Sequence, residues 1–224
     1  MFGDNPIRPP VNGDGQQLEV KSLFPTLQGE GPFAGWPSVF VRLGGCNLAC
    51  SFCDTAFEAF ATRGVEQILE EVKALSMENG KRLRTLVVIT GGEPLRQNIA
   101  PLCEALLAEG FKVQIETNGT LWRPLPEAVD IVCSPKNTGK GYFPVRDDLL
   151  PRVNAFKFII SKHNNHYNHV ADVGQGKAGT PVYVQPMDEY DEAKNSENRA
   201  LALELATRHG YRLSLQLHKL LGIE

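Results

Sequence analysis

The 224-residue sequence predicts an α/β fold in which a mostly parallel β-sheet is covered by helices. Near-continuous Val/Ile/Leu runs of strand length alternate with segments of helical periodicity, which is typical of parallel strands buried on both faces. Two joints, "LLAEGFKVQI" and "ATRHGYRLSL", share the order helix, glycine, aromatic residue, basic residue and strand. Gly110 and Gly210 therefore suit left-handed helix C-caps that return the chain to the sheet.

The predicted elements follow one another without a Pro-, Gly- or Ser-rich linker. The apolar runs predict strands in residues 37–45, 85–92, 111–119, 129–136, 155–161, 181–188 and 211–218. Apolar residues three and four apart predict helices over 65–77, 96–109 and about 191–209. With about six such strands, both a partial β/α barrel and an open doubly wound sheet remain possible.

Composition narrows the class of protein. Hydrophobic residues make up 42% and charged residues 22%, which is usual for a globular protein in water. The net charge of −3 gives no electrostatic reason to expect nucleic acid, and no run is long and apolar enough to cross a membrane. Residues 1–17 lack a signal-peptide pattern and predict a flexible arm. Residues 18–224 are predicted to form a single cytoplasmic domain.

Three of the five cysteines lie within eight residues, in "GGCNLACSFCDTAF". Cys46, Cys50 and Cys53 have Cys-x3-Cys-x2-Cys spacing, whereas Cys103 and Cys133 lie in apolar runs and are expected in the core. A closed structural metal site normally has four ligands. Three thiolates therefore indicate an open metal site, in which the vacant position receives a small molecule.

A four-iron cluster held by three cysteines has one iron without a protein ligand. The amino and carboxylate groups of S-adenosylmethionine could occupy that iron, and an electron from the cluster could then release an adenosyl radical. The cysteine spacing alone also allows a zinc site completed by histidine. "KHNNHYNH" offers His163, His166 and His169 for that alternative, although a solvated loop is the simpler interpretation.

Five predicted strands end in polar or Gly-rich residues: "RLGGC", "ITGGEP", "IETNG", "CSPK" and "VQPMD". The carboxyl ends of parallel strands meet at one edge of a sheet. These segments are therefore expected to line one cleft, which the cysteine loop adjoins.

Two of these features resemble the radical S-adenosylmethionine superfamily. They are the cysteine spacing, with an aromatic Phe52 before the third cysteine, and the Gly91-Gly92-Glu93 of "TGGEP". The resemblance implies that Glu93 receives the amino group of the cofactor. A glycyl-radical-activating enzyme of that superfamily and a non-catalytic zinc-binding interaction module remain as alternatives.

A longer series of segments is similar to the family of 7-carboxy-7-deazaguanine synthases. "TLQGEGPFAGWPSVFVRLGGCNLACSFCDT", "VVITGGEP", "IETNGT", "SPK", "VQPMD" and "RLSLQLHKLLGI" occur in that order within residues 20–224. The resemblance implies a shortened β/α barrel that acts as a lyase in queuosine and 7-deazapurine biosynthesis. The implied reaction converts 6-carboxy-5,6,7,8-tetrahydropterin to 7-carboxy-7-deazaguanine with loss of ammonia.

The same resemblance implies the cofactors, the partners and the site residues. The cofactors are a 4Fe-4S cluster, S-adenosyl-L-methionine and Mg2+; the partners are a second copy of the chain and an electron donor such as flavodoxin or ferredoxin. The implied metal ligands are Cys46, Cys50 and Cys53 for the cluster and Thr55 for Mg2+. The implied S-adenosylmethionine-binding residues are Phe52, Cys53, Asp54, Gly92, Glu93, Ser134, Pro135, Lys136, Gln185, Pro186, Met187 and Asp188. The implied pterin-binding residues are Leu27, Gln28, Gly29, Arg42, Thr90 and Glu224, with Glu116 as a minor candidate.

Overall fold

The computed structural model describes residues 5–137 and 139–223. Its strands are β1 (Gln17–Leu27), β2 (Pro37–Leu43), β3 (Ala61–Gly64), β4 (Met77–Glu78), β5 (Lys81–Arg82), β6 (Leu86–Gly91), β7 (Lys112–Thr117), β8 (Asp130–Cys133), β9 (Ala155–Ile160), β10 (Val182–Pro186) and β11 (Arg212–Leu213). Its helices are α1 (Val65–Ser76), α2 (Ala100–Ala108), α3 (Gln175–Ala178), α4 (Glu192–His209) and α5 (Leu217–Leu221). None of the described helices is both long enough and apolar enough to cross a membrane.

Nine strands form one sheet in the order β11-β10-β9-β8-β7-β6-β2-β1-β3. Every pairing from β2 to β11 is parallel, whereas β1 runs antiparallel to both of its neighbours. The order ends at β3 on one side and at β11 on the other, so the sheet is open. This mostly parallel sheet with helices agrees with the shortened β/α barrel that the family resemblance implies.

The two faces of the sheet differ in polarity because successive side chains of a strand point to opposite sides. The outer face is apolar and packs against α1, α2 and α4 through residues such as Val41, Ile89, Ile115, Phe158 and Val184, all fully buried. The alternating positions carry Arg42, Thr90, Glu116, Lys157 and Gln185, which line one cavity. Parallel pairing therefore collects polar groups from five strands on the inner face.

The predicted helices agree with the observed ones except at one boundary. Gly110 and Gly210 have positive φ angles of 79° and 70°, as the predicted C-caps require. The helix predicted from residue 96 begins at Ala100, because a 3-10 turn over Pro94–Arg96 precedes it. Cys103 and Cys133 are fully buried, as predicted.

Part of the segment that the sequence predicts to be a flexible arm contacts the domain. We call residues 5–11 the N-terminal strap, since they cross the cysteine loop. Ile7 forms a parallel bridge with Cys46, and the Arg8 amide donates to the Cys46 carbonyl at 2.7 Å. The Val11 amide donates to the Arg96 carbonyl at 2.8 Å. These contacts hold the strap against the domain.

Candidate active site

One cavity opens at the carboxyl ends of the parallel strands, where the sequence predicts a cleft. The predicted residues that line it are Gln28, Arg42, Cys46, Cys50, Phe52, Cys53, Asp54, Thr55, Thr90, Gly92, Glu116, Ser134, Lys136, Gln185, Pro186, Met187 and Asp188. Four predicted residues, Leu27, Gly29, Glu93 and Pro135, lie outside this lining. Glu224 lies outside the described residues.

The three clustered cysteines enter this cavity from the loop after β2. None of them forms a disulfide; Cys46 is buried, whereas Cys50 and Cys53 are half-buried. Burial raises the pKa of the Cys46 thiol to about 12, and it also raises the pKa of Cys50 and of Cys53. Iron binding would supply the positive charge that thiolates need in this apolar setting.

The chemistry of these three sulfurs suits a four-iron cluster. Cys46, Cys50 and Cys53 belong to one apolar cluster with Leu48 and Phe57, and all three line the cavity. Among the described residues, no three His, Cys, Asp or Glu side chains are placed to hold a single metal ion. A four-iron cluster places each thiolate on a different iron, so its ligands do not have to converge on one point.

Gly91 and Gly92 allow the end of β6 to approach the end of β2. Gly91 has a φ of 148°, and a Cβ there would lie 2.2 Å from the Leu43 carbonyl oxygen. A Cβ on Gly92 would lie 2.3 Å from the Gly45 carbonyl oxygen and 2.7 Å from the Cys46 Cβ. A side chain at Gly91 would therefore push the end of β2 away, and one at Gly92 would displace the first cysteine from the cavity wall.

Glu93 lies behind the cavity wall, whereas the sequence predicts direct contact with the cofactor. Its carboxylate accepts hydrogen bonds from the Leu95 amide (2.9 Å), the Thr117 hydroxyl (2.8 Å) and the Asn118 amide (2.7 Å). Complete burial outweighs these bonds and raises the pKa of Glu93 to about 7. The carboxylate thus fixes Thr117 and Asn118, which do line the cavity.

Lys219 connects the cysteine loop with the loop after β10. Its ammonium lies 2.9 Å from an Asp54 carboxylate oxygen and 3.1 Å from an Asp188 carboxylate oxygen. The other Asp54 oxygen accepts from the Thr55 hydroxyl at 3.2 Å. α5 therefore holds the residues on both sides of the cavity mouth.

The segment after β1 meets the same C-terminal region. The Leu217 amide donates to the Gly29 carbonyl at 3.1 Å, and a Cβ on Gly29 would lie 2.4 Å from the His218 Nδ1. Gly29 thus lies behind His218, which lines the cavity. Arg42 and Thr90 face each other in the β2–β6 register, and Arg42 stacks on Phe24 at 5.6 Å.

A buried group of three charges occupies the inner face of the barrel. The Lys157 ammonium pairs with the carboxylates of Glu30 and Glu116, the latter at 2.5 Å. Burial favours the neutral acid, but the charge and hydrogen bond of Lys157 outweigh it and hold the pKa of Glu30 at about 2. The Gln28 amide also donates to Glu116 at 3.1 Å. All four of these residues line the cavity.

Sequence reasoning missed several residues of this cavity. Lys157 gave a usable signal, because a lysine inside the apolar run "AFKFIIS" is rarely buried without a charged partner. Glu30 and His218 lie in loops and carry no comparable signal, because only tertiary packing brings them to the site. Asn5 belongs to a segment that the sequence predicts to be flexible.

The histidine-rich loop is separate from the cysteines. His163, His166 and His169 are exposed, and His163 lies 3.5 Å from Glu197 on α4. Tyr167 of the same loop is buried and packs edge-on against Phe52 with ring centroids 4.9 Å apart. The loop therefore supports the cysteine loop through an aromatic contact.

Comparisons with known proteins agree with this fold and site. The sequence profile of the radical SAM superfamily matches residues 40–135. A 7-carboxy-7-deazaguanine synthase from Rickettsia prowazekii is 58% identical over 226 residues, which cover 100% of this chain and 96% of the relative. Its counterpart from Rhodospirillum rubrum is 44% identical over 242 residues and 100% of both chains. The crystal structure of QueE from Escherichia coli superposes with a TM-score of 0.69 at 26% identity, over 89% of this chain and 94% of that one.

The open α/β sheet, the three-cysteine loop and the superfamily match define a radical S-adenosylmethionine enzyme that uses a 4Fe-4S cluster and S-adenosylmethionine. Within that class, the chain belongs to the family of 7-carboxy-7-deazaguanine synthases.

Proposed function

We propose that this chain converts 6-carboxy-5,6,7,8-tetrahydropterin to 7-carboxy-7-deazaguanine with loss of ammonia, as a step of queuosine or 7-deazapurine biosynthesis. One observation carries the proposal: a single cavity joins the three-cysteine loop to a polar interior that contains Arg42, Glu30 and Glu116. A polar, nitrogen-rich substrate bound in this interior would therefore lie within reach of a radical formed beside the cysteines. The 58% sequence identity with the Rickettsia relative, which extends over the whole chain, supports the same activity.

The cofactor side of the cavity is assigned to the cysteine loop and three strand ends. When reduced and bound, the cluster supplies the electron that cleaves S-adenosylmethionine to an adenosyl radical. Phe52, Asp54 and Gly92 lie beside the cysteines, and Lys136 is held by the Ser134 carbonyl and hydroxyl oxygens at 2.7 Å each. The segment from Gln185 to Asp188 forms the opposite wall. Pro135 is buried, and its neighbours in sequence, Ser134 and Lys136, line the cavity.

The substrate side is assigned to the barrel interior. Arg42 suits the substrate carboxylate, because a guanidinium can donate two parallel hydrogen bonds to it. Gln28 and Thr90 offer neutral polar groups to the pterin, and Leu27 and Gly29 position Gln28 from either side. Glu116 is held by Lys157 and Gln28, which suits it to orient the substrate. Glu224 is proposed to act through its backbone groups, since its acidic side chain would repel the carboxylate.

The remaining assignments concern partners and location. We propose a homodimer that works in the cytoplasm and receives electrons from a flavodoxin or ferredoxin. One sheet runs from Gln17 to Leu213, which supports residues 18–224 as a single domain.

The direct test is anaerobic incubation of the reconstituted enzyme with S-adenosylmethionine, a reductant and the carboxytetrahydropterin. Mass analysis is expected to find 7-carboxy-7-deazaguanine, with ammonia released in equal amount. A glycyl-radical-activating enzyme would cleave S-adenosylmethionine without converting the pterin. A zinc module would take up one zinc ion and show no iron–sulfur absorbance. Either of these results would refute the proposal.

Replacing Thr55 with alanine is expected to lower the stimulation of product formation by Mg2+, because the proposed neutral oxygen ligand is lost. A lone hydroxyl suits Mg2+ only when substrate oxygens and water complete the shell, so metal and substrate binding depend on each other. Product formation should be measured against Mg2+ concentration, with Thr55→Ser as the matched control that keeps the hydroxyl. Superimposable curves for Thr55→Ala and wild type would show that the metal binds elsewhere.

Replacing Glu93 with glutamine is expected to weaken S-adenosylmethionine binding and to change its pH dependence. The pKa of Glu93 is about 7, so the carboxylate ionises as the pH rises through 7. If its carboxylate stabilises the iron-bound amino group by accepting hydrogen bonds from it, wild-type affinity should rise between pH 6 and 8 and then level off. The variant should lose the part of this rise that comes from Glu93. At pH 8 its affinity for S-adenosylmethionine should be lower by about tenfold or more, since charge-assisted contacts contribute more than neutral ones.

Equilibrium dialysis with labelled S-adenosylmethionine at several pH values measures both effects. Any titration of the cofactor's own amino group is common to both proteins, so the difference between the two curves isolates Glu93. Parallel curves would mean that Glu93 acts only by fixing Thr117 and Asn118.

A further inference from the structure

The N-terminal strap reaches the cysteine loop at both of its ends. At the beginning of the loop, the backbone of Ile7 and Arg8 pairs with Cys46. Beyond the last cysteine, the Arg8 guanidinium binds the Glu58 carboxylate, with its Nε 3.1 and 3.0 Å from the two oxygens, and it stacks on Phe60 at 5.1 Å. A planar guanidinium bound in this two-point way fixes orientation as well as distance.

The strap also accepts hydrogen bonds from two arginines, one in the loop after β6 and one in the loop after β7. Arg96, 3% exposed, donates to the Pro9 carbonyl at 3.0 Å and to the Gly44 carbonyl at 3.0 Å. Arg123 donates to the Val11 carbonyl at 2.6 Å. The strap is therefore held along its length, and the position of its first described residue follows from these anchors.

That first residue, Asn5, lines the cavity beside the third cysteine. Its side-chain amide nitrogen lies 3.9 Å from the Cys53 sulfur and 3.3 Å from the Thr55 carbonyl oxygen. Sulfur is a large acceptor, so hydrogen bonds to it are longer than those to oxygen. When Cys53 holds iron, its thiolate is a better acceptor for this N–H group than the thiol is.

We propose that Asn5 is a positioning residue that raises the reduction potential of the cluster by donating an N–H group to the Cys53 sulfur. Reduction adds negative charge to the cluster and its thiolates, and a donor aimed at a thiolate stabilises that charge. The proposal rests on the cluster assignment to Cys46, Cys50 and Cys53. It adds a role for a segment outside the strands and the cysteine motif.

The test is a potentiometric titration of the reconstituted full-length enzyme, followed by the electron paramagnetic resonance signal of the reduced cluster. Asn5→Leu removes the donor while keeping a similar side-chain size. At the wild-type midpoint potential, its ratio of reduced to oxidised cluster is expected to fall about threefold or more; a tenfold fall equals about 59 mV for one electron. Asn5→Asp replaces the donor with a negative charge, so its ratio of reduced to oxidised cluster should fall further. Asn5→Gln keeps an amide and should stay closer to wild type.

Asn98→Leu is the matched control. The Asn98 amide also ties the N-terminal region to the domain, through the Asp14 carbonyl at 3.0 Å, but it does not contact a cysteine. Its midpoint is expected to match wild type. Titrations are normalised to the cluster signal, so partial loss of iron does not hide a shift. Unchanged midpoints in Asn5→Leu and Asn5→Asp, or an equal shift in Asn98→Leu, would overturn the proposal.

Discussion

Cys50→Ala is expected to lose both the iron–sulfur absorbance and the formation of 5′-deoxyadenosine. We propose that each of the three thiolates holds a separate iron, and the loop offers no fourth cysteine to replace a missing one. The same result is expected for Cys46→Ala and Cys53→Ala. Iron and sulfide content, the visible spectrum after anaerobic reconstitution, and chromatography of the cleaved cofactor measure it.

Cys103→Ala is the matched control for these variants. Cys103 is fully buried on α2 among apolar residues, where it packs as a small hydrophobic side chain. Its replacement removes little volume and leaves the cavity untouched, so cluster content and cofactor cleavage should stay near wild type. A Cys50→Ala protein with a full cluster and normal cleavage would show that the ligand assignment is wrong.

Lys157→Met is expected to lower the free energy of unfolding by about 3–5 kcal/mol at pH 7.5, because it leaves two carboxylates buried without their cation. The side chains of Lys157, Glu30 and Glu116 are only 5%, 16% and 16% exposed, so water can replace the lost ion pairs only in part. Methionine fills a similar volume, which limits any cavity effect. Urea unfolding of the cluster-free protein, followed by circular dichroism, measures the change.

The stability lost in Lys157→Met is expected to become smaller as the pH falls. In wild type, Lys157 depresses the pKa of Glu30 to about 2, so this stabilisation is present above pH 4.5 and is lost as the pH falls toward 2. Without Lys157, burial dominates and the pKa of Glu30 rises above its ordinary value. The acid can then protonate in the folded state, so the deficit of the variant should shrink between pH 7.5 and pH 4.5.

Lys162→Met is the control for the same substitution at the surface. The Lys162 side chain is 59% exposed and pairs with Glu197 at 3.0 Å, so its loss should cost less than about 1 kcal/mol. Equal losses for the two variants, or a Lys157→Met deficit independent of pH, would contradict the buried ion group. Glu116→Gln added to Lys157→Met should recover part of the stability, since it removes one of the unpaired charges.

The sequence predicts most of the parallel strands well because their apolar runs record burial on both faces. The strand predicted over 211–218 is wrong in extent, since β11 covers only Arg212–Leu213 and α5 begins at Leu217. β1 was not predicted, because it is antiparallel at the side of the sheet and only part of "QLEVKSLFPTL" is buried. The site could be predicted where strand ends and the cysteine loop adjoin, as for Arg42, Thr90 and Gly92. For Glu93, the motif does not reveal that Thr117 and Asn118 take up its carboxylate.

Residues far apart in sequence complete the rest of the site, and local patterns do not encode such contacts. Lys157 meets Glu30 across 127 positions, and Lys219 meets Asp54 across 165. The contacts within these pairs exist only in the finished fold. Charge, hydropathy and spacing within one segment therefore could not predict them.

The attachment of the cysteine loop at both ends of the described chain has a consequence for biosynthesis. Asn5 and Arg8 hold the loop from the N-terminal side, but Lys219 can bind Asp54 only after residue 219 has left the ribosome. Contacts between distant residues also form late in folding, because a long stretch of chain must be ordered first. The contacts of the strap with the cysteine loop can therefore form before α5 has been synthesised. This order leaves an interval in which the strap already holds the cysteine loop, while the Lys219 bridge between Asp54 and Asp188 has not yet formed.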